Sequence, residues 1–161
     1  MPSPEHLESA NSYHQQALDI AKKQENRHAV ANSLFDLGNV SLDMRQFPQA
    51  RDYYQQALEI KIEFGVSETL PSEASYSCAS TYYQLGKVAE ELGELEEAKA
   101  NYLKDLVITT EFNDKHGLGI SLRNLARFYQ TTQDEDLLRE VAKIFGTTVE
   151  ELKEAIINTE E

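Results

Sequence analysis

Three stretches decide the fold: SANSYHQQALDI at Ser9–Ile20, QARDYYQQALEI at Gln49–Ile60 and EAKANYLKDLVI at Glu97–Ile108. They align without a gap, placing Ala10, Ala50 and Ala98 in one column and His14, Tyr54 and Tyr102 in the next. Leu18, Leu58 and Leu106 follow, then Ile20, Ile60 and Ile108, with offsets of 40 and 48 residues between copies. A second series lies between the first. It reads SLFDLGNV from Ser33, TYYQLGKV from Thr81 and SLRNLARF from Ser121, with Leu37-Gly38, Leu85-Gly86 and Leu125-Ala126 in register. Self-similarity at a recurring period marks a repeat architecture. Two interleaved series of helical spacing predict a stack of antiparallel helix pairs.

The small residues have a packing reason. Ala50 and Ala98 stand where a second helix must approach the first closely, and a larger side chain would push the pair apart. Gly38 and Gly86 allow the same approach from the first helix, at a cost of about 1 kcal/mol each against alanine in a helix interior. Tyr54, Tyr102, Leu34 and Leu37 are the expected filling between helices.

The pattern resembles the tetratricopeptide repeat over roughly residues 7–130: a first helix with Leu34 and Leu37-Gly38, a second with Ala50, Tyr54 and Ala57, then Tyr82, Leu85-Gly86, Ala98 and Tyr102. The period of 40 exceeds the usual ~34 and matches an extended variant of that repeat; HEAT-type repeats are the structural alternative. Asp105 stands in the column of the second small residue, and no proline follows the second helix. The resemblance implies an all-α, right-handed superhelical stack whose first helices line a concave surface. Carried onto this chain, the groove positions are Asn32, Phe35, Asn39 and Leu42, then Ser80, Tyr83, Lys87 and Glu90, then Ile120, Arg123, Arg127 and Gln130. Tyrosine and arginine are the types enriched at binding hot spots. The clamp by which chaperone-binding members grip a terminal carboxylate is not supported, because Phe35 stands where its lysine is wanted and Lys87 where its asparagine is.

The register divides the chain into a repeat array over 1–133 and capping helices over 134–161. Within the array, 5–24 is a second-type helix without a partner before it, 27–64 and 72–112 are repeats, and 116–133 is the first helix of a last one. The unpartnered helix predicts either a segment of a longer array or self-association through its apolar face, Ala10, Tyr13, Ala17 and Leu18. Eight extra residues near Gly65–Ser72 are read as a tolerated insertion. At the far end Leu138 replaces the small residue, Gly146 stops one helix, and Thr148 with Glu151 forms a capping box opening the next. The stretch Val141–Leu152 also looks like a helix-turn-helix, but Glu150, Glu151 and Glu154 on its second helix would repel a phosphate backbone.

Composition narrows the function. The net charge of −13, from 28 acidic and 15 basic residues, disfavours nucleic acid and anionic membrane. No signal peptide, no span of about 18 apolar residues and a single cysteine, Cys78, give a cytoplasmic expectation. His6, His14, His28 and His116 show no ligand spacing, and no phosphate loop, zinc pattern or nucleophile motif appears, so neither metal nor cofactor is expected. Glu90-Glu91, Glu94, Glu96 and Glu97 read as a solvated surface around a turn. Between Lys115 and Gln133 there is no acidic residue, and Lys115, His116, Arg123 and Arg127 make a local basic face. The expectation is a non-enzymatic scaffold that binds a protein or peptide through Asn32, Phe35, Asn39, Tyr83, Lys87, Arg123, Arg127 and Gln130. Lys87, Arg123 and Arg127 would attract an acidic segment, unless they pair with Glu90 or Glu91. The alternative is a sensor or oligomerisation arm of a larger signalling protein.

Overall fold

A computed structural model describes residues 2–65 and 73–158, and the insertion expected near 65–72 lies almost wholly outside them. Among the described residues there are eight α-helices and no strand: α1 (Pro4–Lys23), α2 (Arg27–Asp43), α3 (Phe47–Gly65), α4 (Glu73–Glu91), α5 (Leu95–Glu111), α6 (Lys115–Thr132), α7 (Glu135–Phe145) and α8 (Val149–Asn158). Each helix from α1 to α6 packs against the next, and α7 also lies on α5. The chain is an all-α stack of consecutive helix pairs.

One turn is used four times. Glu25, Arg45, Gly93 and Asn113 each sit in the left-handed region between two helices. In each case the following amide reaches back to the helix before it: Asn26 N–H to Ala21 O, Gln46 to Ser41, Glu94 to Ala89 and Asp114 to Thr109. This is the Schellman closure, which satisfies the last carbonyls of one helix while reversing the chain. Asn26 and Asp114 then cap the next helix through their side chains. At the far end Gly146 closes α7 with φ 64°. Thr148 and Glu151 exchange side-chain-to-backbone bonds of 3.2 and 3.0 Å, the predicted capping box.

The repeat residues form the core. Ala50, Ala57 and Ala98 are completely buried, as are Tyr54 and Leu37. A methyl group placed on Gly38 would come 2.5 Å from the Tyr54 ring, and one on Gly86 would come 2.6 Å from the Tyr102 ring. The glycine of each first helix is therefore the seat of the tyrosine of its second helix. Tyr102 continues the layer edge-on to Phe128, and Leu106, Leu125, Leu137 and Val141 join it beneath α6 and α7. On α1 only part of the apolar face is covered. Leu18 packs with Leu34, Leu37 and Ala57, whereas Tyr13 and Ile20 are exposed at 69% and 54%.

Candidate functional site

The buried tyrosines carry hydroxyls that need partners, and those partners come from the first helices. Tyr54 donates to Asn39 Oδ1 at 2.7 Å, and Gln84 of α4 donates to the same oxygen at 3.1 Å, tying α2 to α4. One layer on, Tyr102 donates to Glu90 Oε2 at 2.7 Å, and Arg127 of α6 grips Glu90 with two bonds of 2.6 and 2.8 Å, tying α4 to α6. Arg127 and then Tyr102 hold the Glu90 carboxyl below its ordinary range, against its partial burial. Glu90 is thus no solvated bystander, as its place in an acidic cluster had implied. It is half-buried because the tyrosine hydroxyl above Gly86 requires an acceptor there.

Two cavities open between α4 and α6. The first, about 440 Å³, is lined by Tyr83, Lys87, Glu90 and Glu91 of α4 and by Asn124 and Arg127 of α6. Lys87 Nζ lies 5.6 Å from the centre of the Tyr83 ring, a cation–π distance, and makes no ion pair among the described residues. Arg123 is exposed on the same face of α6, also without an ion pair among the described residues.

The second cavity, about 400 Å³, lies toward the N-terminal ends of the same two helices. Tyr76, Ala79 and Tyr83 form its α4 wall, and Gly117 and Ile120 its α6 wall. Its floor is Asp105 of α5, only 6% exposed. Ser121 Oγ stands 2.6 Å from Asp105 Oδ2 and 3.0 Å from Gly117 O. Burial pushes the Asp105 carboxyl up to about 6, and the Ser121 hydrogen bond only partly opposes it. At the rim Tyr76 O–H donates to Asp114, whose carboxylate also caps α6.

The predicted residues do not all stand free for a partner. Tyr83, Lys87 and Arg127 converge on the first cavity. Phe35 leans on Tyr54 and lies under the buried Lys61, whose Nζ is 4.3 Å from its ring centre. Asn39 has its oxygen committed twice, which leaves its amide N–H₂ to donate. Asn32, Arg123 and Gln130 are exposed. Of the two fates foreseen for the basic face, Arg127 has taken the pair with Glu90. Asp105, Ser121, Gly117 and Tyr76 were not foreseen as site residues. The signal available for them was Asp105 itself, a carboxylate in a column otherwise holding Ala57 and Ala17.

Among the described residues no group of three or more acidic, histidine or cysteine side chains could hold a metal ion, and no helix is long and apolar enough to cross a membrane. Comparison with known families matches residues 6–63 to one tetratricopeptide-repeat model and residues 79–104 to another. Among curated proteins the chain is similar to response regulator aspartate phosphatase A of Bacillus subtilis (strain 168), 26% identical over 99 residues. That match covers 62% of this chain and 24% of the relative, so the chain spans about a quarter of the length of the protein it resembles.

Proposed function

Since the chain belongs to the tetratricopeptide repeat proteins, a protein-interaction fold, we propose that it is a non-enzymatic scaffold binding a peptide or helix along the face shared by α2, α4 and α6. The observation that carries this reading is the pair of cavities between α4 and α6, both walled by Tyr83. Lys87 and Arg123, both without an ion pair among the described residues, meet an acidic stretch of the partner, and Tyr83 supplies a rigid aromatic anchor. Asn32, Phe35, Asn39 and Gln130 extend the surface, and Arg127 contributes what remains of its donors beyond Glu90. In this reading residues 1–133 are the array, with 27–64 and 72–112 as its full repeats, and 134–161 close it with a polar end.

An immobilised array of random octapeptides, probed with the wild type and with Tyr83→Ala and Lys87→Ala/Arg123→Ala variants, tests the proposal. Peptides bound by the wild type should lose at least tenfold with Tyr83→Ala, and acidic ones should lose as much with the double variant. Equal binding by all three proteins would reject the groove.

A second reading, a sensor or oligomerisation arm of a larger signalling protein, is favoured by the relative. That protein is named a response regulator aspartate phosphatase, and the match covers 24% of it. Under this reading the partner is a signalling protein and α1 meets further chain or a second copy.

A further inference from the structure

Asp105 is a buried side chain, among the described residues, whose placement the repeat does not explain. Its column holds Ala57, which is completely buried, and Ala17, yet here a carboxylate lies 94% buried between α5 and α6. An ionised carboxylate has about four acceptor sites. Among the described residues Asp105 receives one donor, the Ser121 hydroxyl on Oδ2, and nothing on its other oxygen. Asp105 is among the residues that line the cavity. A carboxylate with one donor and an oxygen left open beside a cavity can accept a further donor or a cation.

The surroundings fix the sign and shape of what would enter. Two carboxylates line the cavity, Asp105 at the floor and Asp114 at the rim, and no basic residue does. Two aromatic rings, Tyr76 and Tyr83, flank the way in from α4, and Ile120 and Gly117 leave an apolar wall opposite. Aromatic faces with an acceptor pair at depth suit a planar guanidinium, which stacks and binds carboxylate with two parallel donors. An ammonium would meet the charge but lose the stacking.

We propose that the cavity between α4, α5 and α6 is a subsite for one arginine side chain of the bound peptide, its guanidinium meeting Asp105 between Tyr76 and Tyr83. This rests on the groove reading above and names one element of the partner's sequence. Ser80 to Lys87 spans about 10 Å along α4. That equals about three residues of extended peptide. The arginine therefore stands about three positions from the acidic residue that meets Lys87.

The test is an NMR titration of the whole isotope-labelled chain with acetyl-arginine amide, against acetyl-citrulline amide as the uncharged shape match. The arginine amide should shift the amides of Tyr83, Gly117 and Ser121 saturably, and the citrulline amide should bind at least tenfold more weakly. Asp105→Asn, which keeps the shape, should lose at least tenfold. Ser80→Trp, placed at an exposed position on the cavity wall, should lose as much with Asp105 intact, and decides the matter if the first variant does not fold. Equal binding of citrulline, wild-type affinity in the variants, or shifts elsewhere on the chain would each overturn the subsite. Array peptides that bind without arginine would sink this inference and leave the groove standing. An array with no binders would sink the groove while the amide titration still decides the subsite.

Discussion

Replacing Asp105 with alanine should make this protein more stable, an uncommon outcome for a change at a buried position. The carboxyl rises from 3.8 to about 6 on folding because burial disfavours its charge. At about 1.4 kcal/mol per pH unit, that sets a ceiling of about 3 kcal/mol on the cost of holding Asp105 ionised at pH 7. Asp105 borders an open cavity, and solvent screening there brings the figure to roughly 1–2 kcal/mol. Alanine adds about half a kcal/mol in helix propensity. Ser121 is not orphaned by the change, since its hydroxyl stands 3.0 Å from Gly117 O. The expected gain is therefore about 1.5–2.5 kcal/mol at pH 7, or roughly 3–10 °C in Tm for a chain of this size.

The pH dependence has a definite sign. The folded state binds the Asp105 proton more tightly than the unfolded state, so between about 6 and 3.8 the wild type gains stability as pH falls. The advantage of Asp105→Ala should be widest at pH 7 and shrink to the propensity term by pH 4. Chemical denaturation of both proteins at pH 7 and pH 4 measures it. A variant less stable than the wild type at pH 7, or an equal difference at both pH values, would refute the account of Asp105.

Gly86→Ala should destabilise by about 1–3 kcal/mol despite the better helix propensity of alanine, because the new methyl meets the Tyr102 ring at 2.6 Å and that ring is pinned by Glu90; thermal unfolding reads it. Glu25→Gly should stabilise by up to about 1 kcal/mol, since Glu25 is exposed and holds φ 54°, a left-handed conformation that glycine adopts without strain; denaturant midpoints check this. Arg127→Ala should cost about 1 kcal/mol and raise the Glu90 carboxyl toward its ordinary range, because Arg127 is the larger cause of its depression; carboxyl titration by NMR follows the second effect. If the groove is the working face, Tyr13→Glu/Ile20→Glu should leave the mass in solution at one chain by light scattering, and a dimer dissociated by these changes on α1 would favour the second reading.

The fold was legible because its packing code is local and repeated. Leu-Gly on one helix and Ala-x-x-x-Tyr on the next each recur at the same register, and the glycine and the tyrosine of each pair meet ring against backbone. The capping box at Thr148 and Glu151 was equally local, three residues apart. The site was less legible because its contacts join residues far apart in the chain. Arg127 meets Glu90 across 37 positions and Gln84 meets Asn39 across 45, and neither pairing leaves a periodic trace. Glu90 looked solvated because charge alone was visible, whereas its role comes from the hydroxyl of Tyr102. Asp105 showed only as a departure from the repeat; its burial and its cavity depend on where α6 crosses α5.

The most direct test of the account is photo-crosslinking of an array-selected peptide carrying a benzophenone, with the attachment sites mapped by mass spectrometry on the whole chain. Adducts should fall on α4 and α6 around Tyr83, Lys87, Ile120 and Asn124. Adducts confined to α1, or to the exposed faces of α3 and α5, would contradict it.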